Sequence, residues 1–193
     1  LFTPVMFDYH GPVVAGQMGM TWQLVTVVQA VALAWVQARA PLFGRLVASR
    51  DFRELDRVFF RLTRISLAVV VAAATALGFA VWGLYVCEFR LAHRLLGPFP
   101  TALFLLAIVC YHVPTCQAFY LRAHKRDPLF AVSVVASLLV GAGVWWFGSR
   151  HGPTGAAWAY LAVVACVISP WQTVIWWQTR RRHPGRSSAS LPG

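Results

Sequence analysis

The chain has 193 residues, 59% of them hydrophobic and 12% charged, with a mean hydropathy of +0.62. Soluble domains run at roughly 45–50% apolar, so a water-soluble globule is the wrong starting point. A net charge of +11 and a pI near 10.8 would ordinarily suggest nucleic acid. Here the cations fall between long apolar stretches, so they carry topological information and no nucleic-acid partner is expected.

Five stretches lack Asp, Glu, Lys and Arg for about the 20 residues that a helix needs to cross roughly 30 Å of hydrocarbon. They are Val13–Ala38, Ile65–Cys87, Thr101–Leu121, Leu129–Gly148 and Gly155–Thr179. None alternates with period two, which leaves helices as the way to satisfy the backbone in lipid. The expected fold is therefore all-α: one polytopic integral membrane helical bundle over residues 1–193, with about five transmembrane helices plus one interfacial amphipathic helix. Residue 1 is Leu and no basic segment precedes a short apolar core, so no secretory signal is expected and the chain is expected to begin inside a longer protein.

In the first span Gly16, Gly19, Gln23, Thr26, Ala30, Ala34 and Gln37 share one helical face. Small residues permit close helix packing and amides bond across helices. The same face has a second reading, in which Gln23 and Thr26 line a cavity and bind sugar hydroxyls, since amides both donate and accept.

The following loop is more than a connector. Pro41 and Gly44 interrupt the chain, Asp51 and Glu54 have capping-box spacing, and a helix is expected over about 51–64. Phe52, Leu55, Phe59 and Leu62 cover one face of it, and Arg53, Arg57, Arg61 and Arg64 the other. This amphipathic helix is expected to lie at the membrane surface, its Arg pairing with anionic lipid at roughly 1 kcal/mol each. A sharper reading has Arg53, Arg57 and Arg61 touching a phosphate-bearing substrate.

The third span places His112 near its middle, ahead of Pro114, Thr115, Cys116 and Gln117. Proline removes an internal hydrogen bond, so Pro114 is a candidate hinge, and His112 and Gln117 are candidate substrate contacts. The fifth span repeats the device with Pro170 beside Trp171 and Gln172. Intramembrane histidine bonded to a neighbouring helix is the competing reading of His112. The cysteines, Cys87, Cys110, Cys116 and Cys166, sit in apolar runs without a Cys-x-x-Cys pair, and read as buried free thiols with no metal site and no disulfide framework.

Orientation follows from the basic residues. The loop 39–64 holds seven Arg, the loop 122–128 three basic residues and the tail after Thr179 four, so 14 of 17 fall on one side. Only Arg90, Arg94 and Arg150 fall on the other. The positive-inside rule puts the first group, and the C-terminus, in the cytoplasm. Trp35, Trp82, Tyr85, Trp145, Trp146, Trp158, Trp176 and Trp177 near the span ends fit a headgroup belt.

From Ala15 to Arg61 the chain resembles the polysaccharide biosynthesis branch of the multidrug, oligosaccharidyl-lipid and polysaccharide exporter superfamily. The resembling elements are Gly16 and Gly19 at the start of a span, a long span closing on Pro41, and an Ala-x-x-Asp segment at Ala48 and Asp51 leading to Leu55 and Phe59. GPTGAAWAYLA, Gly152 to Ala162, looks like the opening of a late span in those flippases. The resemblance implies a C-terminal portion of a twelve- or fourteen-helix transporter in the bacterial cytoplasmic (inner) membrane. It also implies flipping of a lipid-linked oligosaccharide on a polyprenyl pyrophosphate carrier, for surface polysaccharide such as lipopolysaccharide O-antigen. Its partners would be that substrate, membrane lipids and the missing N-terminal half. The cationic cavity residues that such flippases use have no evident match in these spans.

No span contains a carboxylate, and no catalytic triad, metal set or phosphate-binding glycine loop appears, so neither enzymatic chemistry nor a cofactor is expected. Two other functions stay open: a small-solute or drug exporter of the same superfamily, which would favour an acidic or aromatic cavity, and a non-transporting membrane subunit.

Overall fold

The computed structural model describes residues 2–122 and 130–181. The basic loop beyond Arg122, the start of the expected fourth span at Leu129, and the tail with Arg182 and Arg186 lie outside the described residues. Within them the order is α1 (Phe2–Ala38), α2 (Ala40–Ala48), α3 (Phe52–Val86), a 3-10 turn (Ala92–Arg94), α4 (Pro98–Arg122), α5 (Phe130–Val163), a π-helical turn (Val164–Ile168) and α6 (Ser169–Arg181).

Four continuous helical stretches are long and apolar enough to cross a membrane. The last, Val132–Arg181, has 50 residues, about 75 Å if straight and far beyond one crossing. It does not run straight. Gly152 adopts φ +61°, and Pro153 follows it. A Cβ built on Gly143 would sit 3.2 Å from Ala159 Cβ, although the two residues would be about 24 Å apart in a straight helix. The stretch is therefore a helical hairpin of two passes, and five crossings result, as the charge-free stretches imply.

Gly11 breaks α1 in the same way, with φ +86° and Pro12 next. Residues 2–10 fold back so that Phe2 meets Trp22 at 4.7 Å between ring centroids. The tripeptide His-Gly-Pro thus makes both turns, at 10–12 and 151–153. Only glycine enters this backbone region without a Cβ penalty, and proline suits the first turn of the next helix. The two turns are joined: His10 Nε2 donates to the Gly148 carbonyl at 2.8 Å, and the His10 ring lies against Gly152. At this same turn end the 87–97 connection is pinned to α1 by Gln17 Nε2 to the His93 carbonyl (2.8 Å) and by Leu96 N–H to Thr21 Oγ1 (2.9 Å).

Helix is present over 52–64 as expected, and Asp51 caps it, accepting from the Glu54 N–H at 3.1 Å. It is not a separate element, however. No breaker stands between Arg64 and Ile65, so α3 continues unbroken to Val86. At about 52 Å it overshoots the hydrocarbon and projects from the basic end. Its apolar face is covered by protein: Leu55 and Phe59 are buried with Phe43 of α2, Tyr120 of α4 and Trp176 of α6. Pro41, which was expected to interrupt the chain, instead occupies the first turn of α2. Trp176 is accordingly a core residue, whereas Trp35, Trp82, Trp145, Trp146, Trp158 and Trp177 are exposed as a headgroup belt requires. The main core lies toward the turn end, around a box of Phe2, Trp22, Phe104 and Tyr160.

Candidate functional site

Polar groups inside an apolar bundle must find partners or face a cavity, because leaving them in hydrocarbon is costly. Among the described residues three groupings between helices bear on a site.

The first is a buried seam between α1, α3 and α4. Ser66 Oγ donates to the Ala32 carbonyl, and its oxygen lies 2.8 Å from His112 Nε2. A serine has one hydroxyl proton and a carbonyl only accepts, so His112 Nε2 must be the donor to Ser66. His112 is therefore the Nε2–H tautomer, fully buried, with its Nδ1 taking no bond from a protein group. The seam ties three helices together through groups that are all buried, Ala32, Ser66 and His112.

The second place is the junction of α4 with α6. Gln172 Nε2 donates to the Pro114 carbonyl at 2.6 Å. Gln117 and Thr173 pair at 3.3 Å, and Ser169 Oγ reaches the Val164 carbonyl at 2.9 Å and the Cys110 carbonyl at 3.4 Å. The residues that flank Pro170, Ser169 and Gln172, thus reach the level of Pro114, which is buried, while Pro170 itself is exposed. Gln117 is buried in it rather than presented to a cavity.

The third is a cleft between α4, α5 and α6. Its larger chamber, about 250 Å³, is lined by Tyr111, Ser133, Ser137, Tyr160 and Gln172. A second chamber of about 170 Å³ shares Tyr111, Ser133 and Gln172, and adds Thr115 and Arg122. The geometry follows from helical spacing: Tyr111, Thr115 and Arg122 are four and seven residues apart on one face of α4, and Ser133 and Ser137 four apart on α5. The result is a slot open along one side of the bundle, in which hydroxyls and an amide alternate with Val132, Ala136, Val140 and Ile168, with a guanidinium at the basic end. Such a set can bond neutral polyols through groups that donate and accept, and an anion through Arg122.

Of the residues expected to bind substrate, the cleft contains none. Gln23 and Thr26 are exposed on the outer face of α1, where the Thr26 hydroxyl is spent on the Gln23 carbonyl of its own helix (2.8 Å). Arg53, Arg57 and Arg61 are exposed on the projecting part of α3, and Arg57 pairs with Glu54 at 2.7 Å. The cleft residues Tyr111, Ser133, Ser137 and Arg122 were passed over. Ser-x-x-x-Ser at 133–137 and Tyr-x-x-x-Thr at 111–115 carry the signal in the sequence, a weak one because single hydroxyls in apolar helices bond readily to their own backbone. Cys116 is buried and Cys110 partly so, while Cys87 and Cys166 are exposed, against the reading of all four as buried; all are free. Among the described residues no group of three or more His, Cys, Asp or Glu is placed to hold a metal ion.

The fold is that of a multi-pass, all-helical membrane protein, with a cleft of mixed apolar and hydroxyl lining along one side of the bundle. No protein-family model, no curated protein and no solved structure matches the chain.

Proposed function

We propose that this protein takes part in moving a lipid-linked oligosaccharide across the bacterial cytoplasmic membrane, with the basic end and the C-terminus in the cytoplasm. The observation that carries the reading is the cleft: Tyr111, Ser133 and Ser137 bring hydroxyls to sugar, Thr115 and Gln172, whose donors hold the Tyr111 and Pro114 carbonyls, bring acceptor oxygens, and Arg122 stands beside them at the basic end. A flippase needs such a bond-rich slot for sugars next to an apolar exterior for the carrier tail. Arg122 supplies the cation for a carrier phosphate that the spans otherwise lack. Gln23, Thr26 and Gln37, exposed along α1, suit a wall that a second helical bundle would meet.

The test is reconstitution of the protein in vesicles whose inner leaflet carries a fluorescent polyprenyl pyrophosphate oligosaccharide, with lectin accessibility read from outside. Accessibility should rise with the protein present and fall back with Ser133→Leu. A rise that Ser133→Leu leaves untouched, or no rise at all, sinks the reading. The drug-exporter alternative is favoured by one observation, the rings of Tyr111 and Tyr160 in the larger chamber. It predicts uptake of an aromatic cation by the same vesicles and no movement of the glycolipid.

A further inference from the structure

The last membrane pass is irregular at one level, and it meets another irregular helix there. Pro170 has no N–H to give the Cys166 carbonyl, and just before it residues Val164–Ile168 widen into a π turn in which the Ser169 N–H reaches back five residues to the Val164 carbonyl. Across from it, Pro114 deprives the Cys110 carbonyl of its usual partner, and the Ser169 hydroxyl, whose single proton lies nearer the Val164 carbonyl (2.9 Å), reaches it only at 3.4 Å. Gln172 then holds the Pro114 carbonyl. Each helix thus lacks a backbone rung at this height, at the Cys110 carbonyl on one and the Cys166 carbonyl on the other, and such gaps are where helices bend.

Beyond this level α6 runs thirteen residues, about 20 Å, to the basic end. Its far end is fastened. Arg180 pairs with Asp56 of α3 at 2.7 Å, and Tyr120 of α4 donates to the other oxygen of that carboxylate at 3.2 Å. The guanidinium also lies over the rings of Phe60 (5.0 Å) and Trp176 (5.5 Å). The pair and Trp176 are largely sheltered, with the Asp56 side chain 19% exposed and that of Arg180 25%, while Phe60 is exposed. Between the softened level and the fastening, Gln172 forms a wall common to both chambers of the cleft.

We propose that α6 is a gate arm, pivoting about the π turn and Pro170 and latched by Arg180 on Asp56, and that its release opens the cleft toward the basic end. The proposal is independent of the cargo. A latch of this kind is a two-state element, because losing either partner strands the other charge in a sheltered place. A straight α-helix with the same sequence of contacts would have no point about which to turn.

The test is pulsed electron-spin distance measurement on the full chain in lipid nanodiscs, with labels on noncanonical residues at Arg53 and Gln178, both exposed, so that the four thiols stay in place. The parent should give one narrow distance. Asp56→Asn should add a longer population of at least about a fifth of the molecules, and Pro170→Ala, combined with it, should cut that population at least twofold by restoring a rung at the pivot. A distribution unchanged by Asp56→Asn overturns the latch, and a long population indifferent to Pro170→Ala overturns the pivot. Should Asp56→Asn fail to fold, Tyr120→Phe, which weakens the hold on the same carboxylate, is read by the same two outcomes.

Discussion

Tyr111 and His112 are neighbours on α4, and they serve opposite ends. His112 points into the seam with Ser66 and Ala32 and is fully buried, whereas Tyr111 lines both chambers of the cleft. Successive residues on a helix are about 100° apart, so one step along α4 separates a face that holds the bundle together from a face that stays open. Chemical rarity in a membrane therefore does not mark function by itself: the imidazole is the more conspicuous group, and it is the one enclosed by protein. The contrast is broken most directly by truncation at both positions. His112→Ala should destabilise the protein by about 2–4 kcal/mol, combining a cavity with a stranded Ser66 contact. Tyr111→Phe should change stability by less than about 1 kcal/mol. Thermal unfolding in one detergent compares them. The same experiment reassigns His112 if its loss leaves stability intact while transport per molecule of folded protein falls.

The tautomer argument sharpens the seam further. With the Ser66 proton given to the Ala32 carbonyl, Ser66→Ala removes the acceptor of His112 Nε2–H and leaves a buried donor, at a cost of about 1–3 kcal/mol. A double-mutant cycle between Ser66→Ala and His112→Ala should then show coupling of about 1 kcal/mol or more, and additivity would mean that the two side chains do not depend on each other. On the cleft face the expectation reverses. Ser137→Leu fills space beside an open slot and should leave stability within about 0.5 kcal/mol. It should nevertheless slow glycolipid movement on the order of tenfold, through loss of one good hydrogen bond and some volume. Equal slowing by Ser137→Leu and by a lipid-facing control such as Leu138→Val would remove the cleft from the proposal.

How much of this was legible in the sequence depended on what each feature needs. Crossing a membrane needs only twenty residues without charge, so the five passes could be read directly, and the cap at Asp51 and Glu54 needs only local spacing. The destination of the 51–64 face needed knowledge of partners. Its apolar stripe was compatible with a headgroup surface, but Phe43, Tyr120 and Trp176 supply a protein surface instead, and α3 has nothing at Arg64 to end it. The sorting of polar residues was illegible for a related reason. Most of these helices are apolar all round, so the usual amphipathic cue to the inward face is missing. Which of Gln23, His112, Gln117 or Tyr111 meets a neighbour is settled by close packing and by turns such as Gly11 and Gly152, and the cleft appears only once α5 has been folded back along α4.

The smallest effects are expected on α1, and they complete the comparison with a third polar face. Gln23 and Thr26 share a helix with Ala32, whose carbonyl belongs to the seam, yet they look outward, and the Thr26 hydroxyl is satisfied within its own turn. Thr26→Val keeps the shape and removes only that local bond, and Gln23→Leu replaces an exposed amide with a group that lipid tolerates better. Neither leaves a buried group without a partner, so each should shift thermal stability by less than about 0.5 kcal/mol, against the several-fold larger cost at His112. If Gln23→Leu instead costs as much as Ser66→Ala in detergent, the α1 face is already engaged in a contact within or between chains. Oligomeric state by light scattering, measured on the same sample, tells those two apart, since a contact between copies would be lost together with the larger particle.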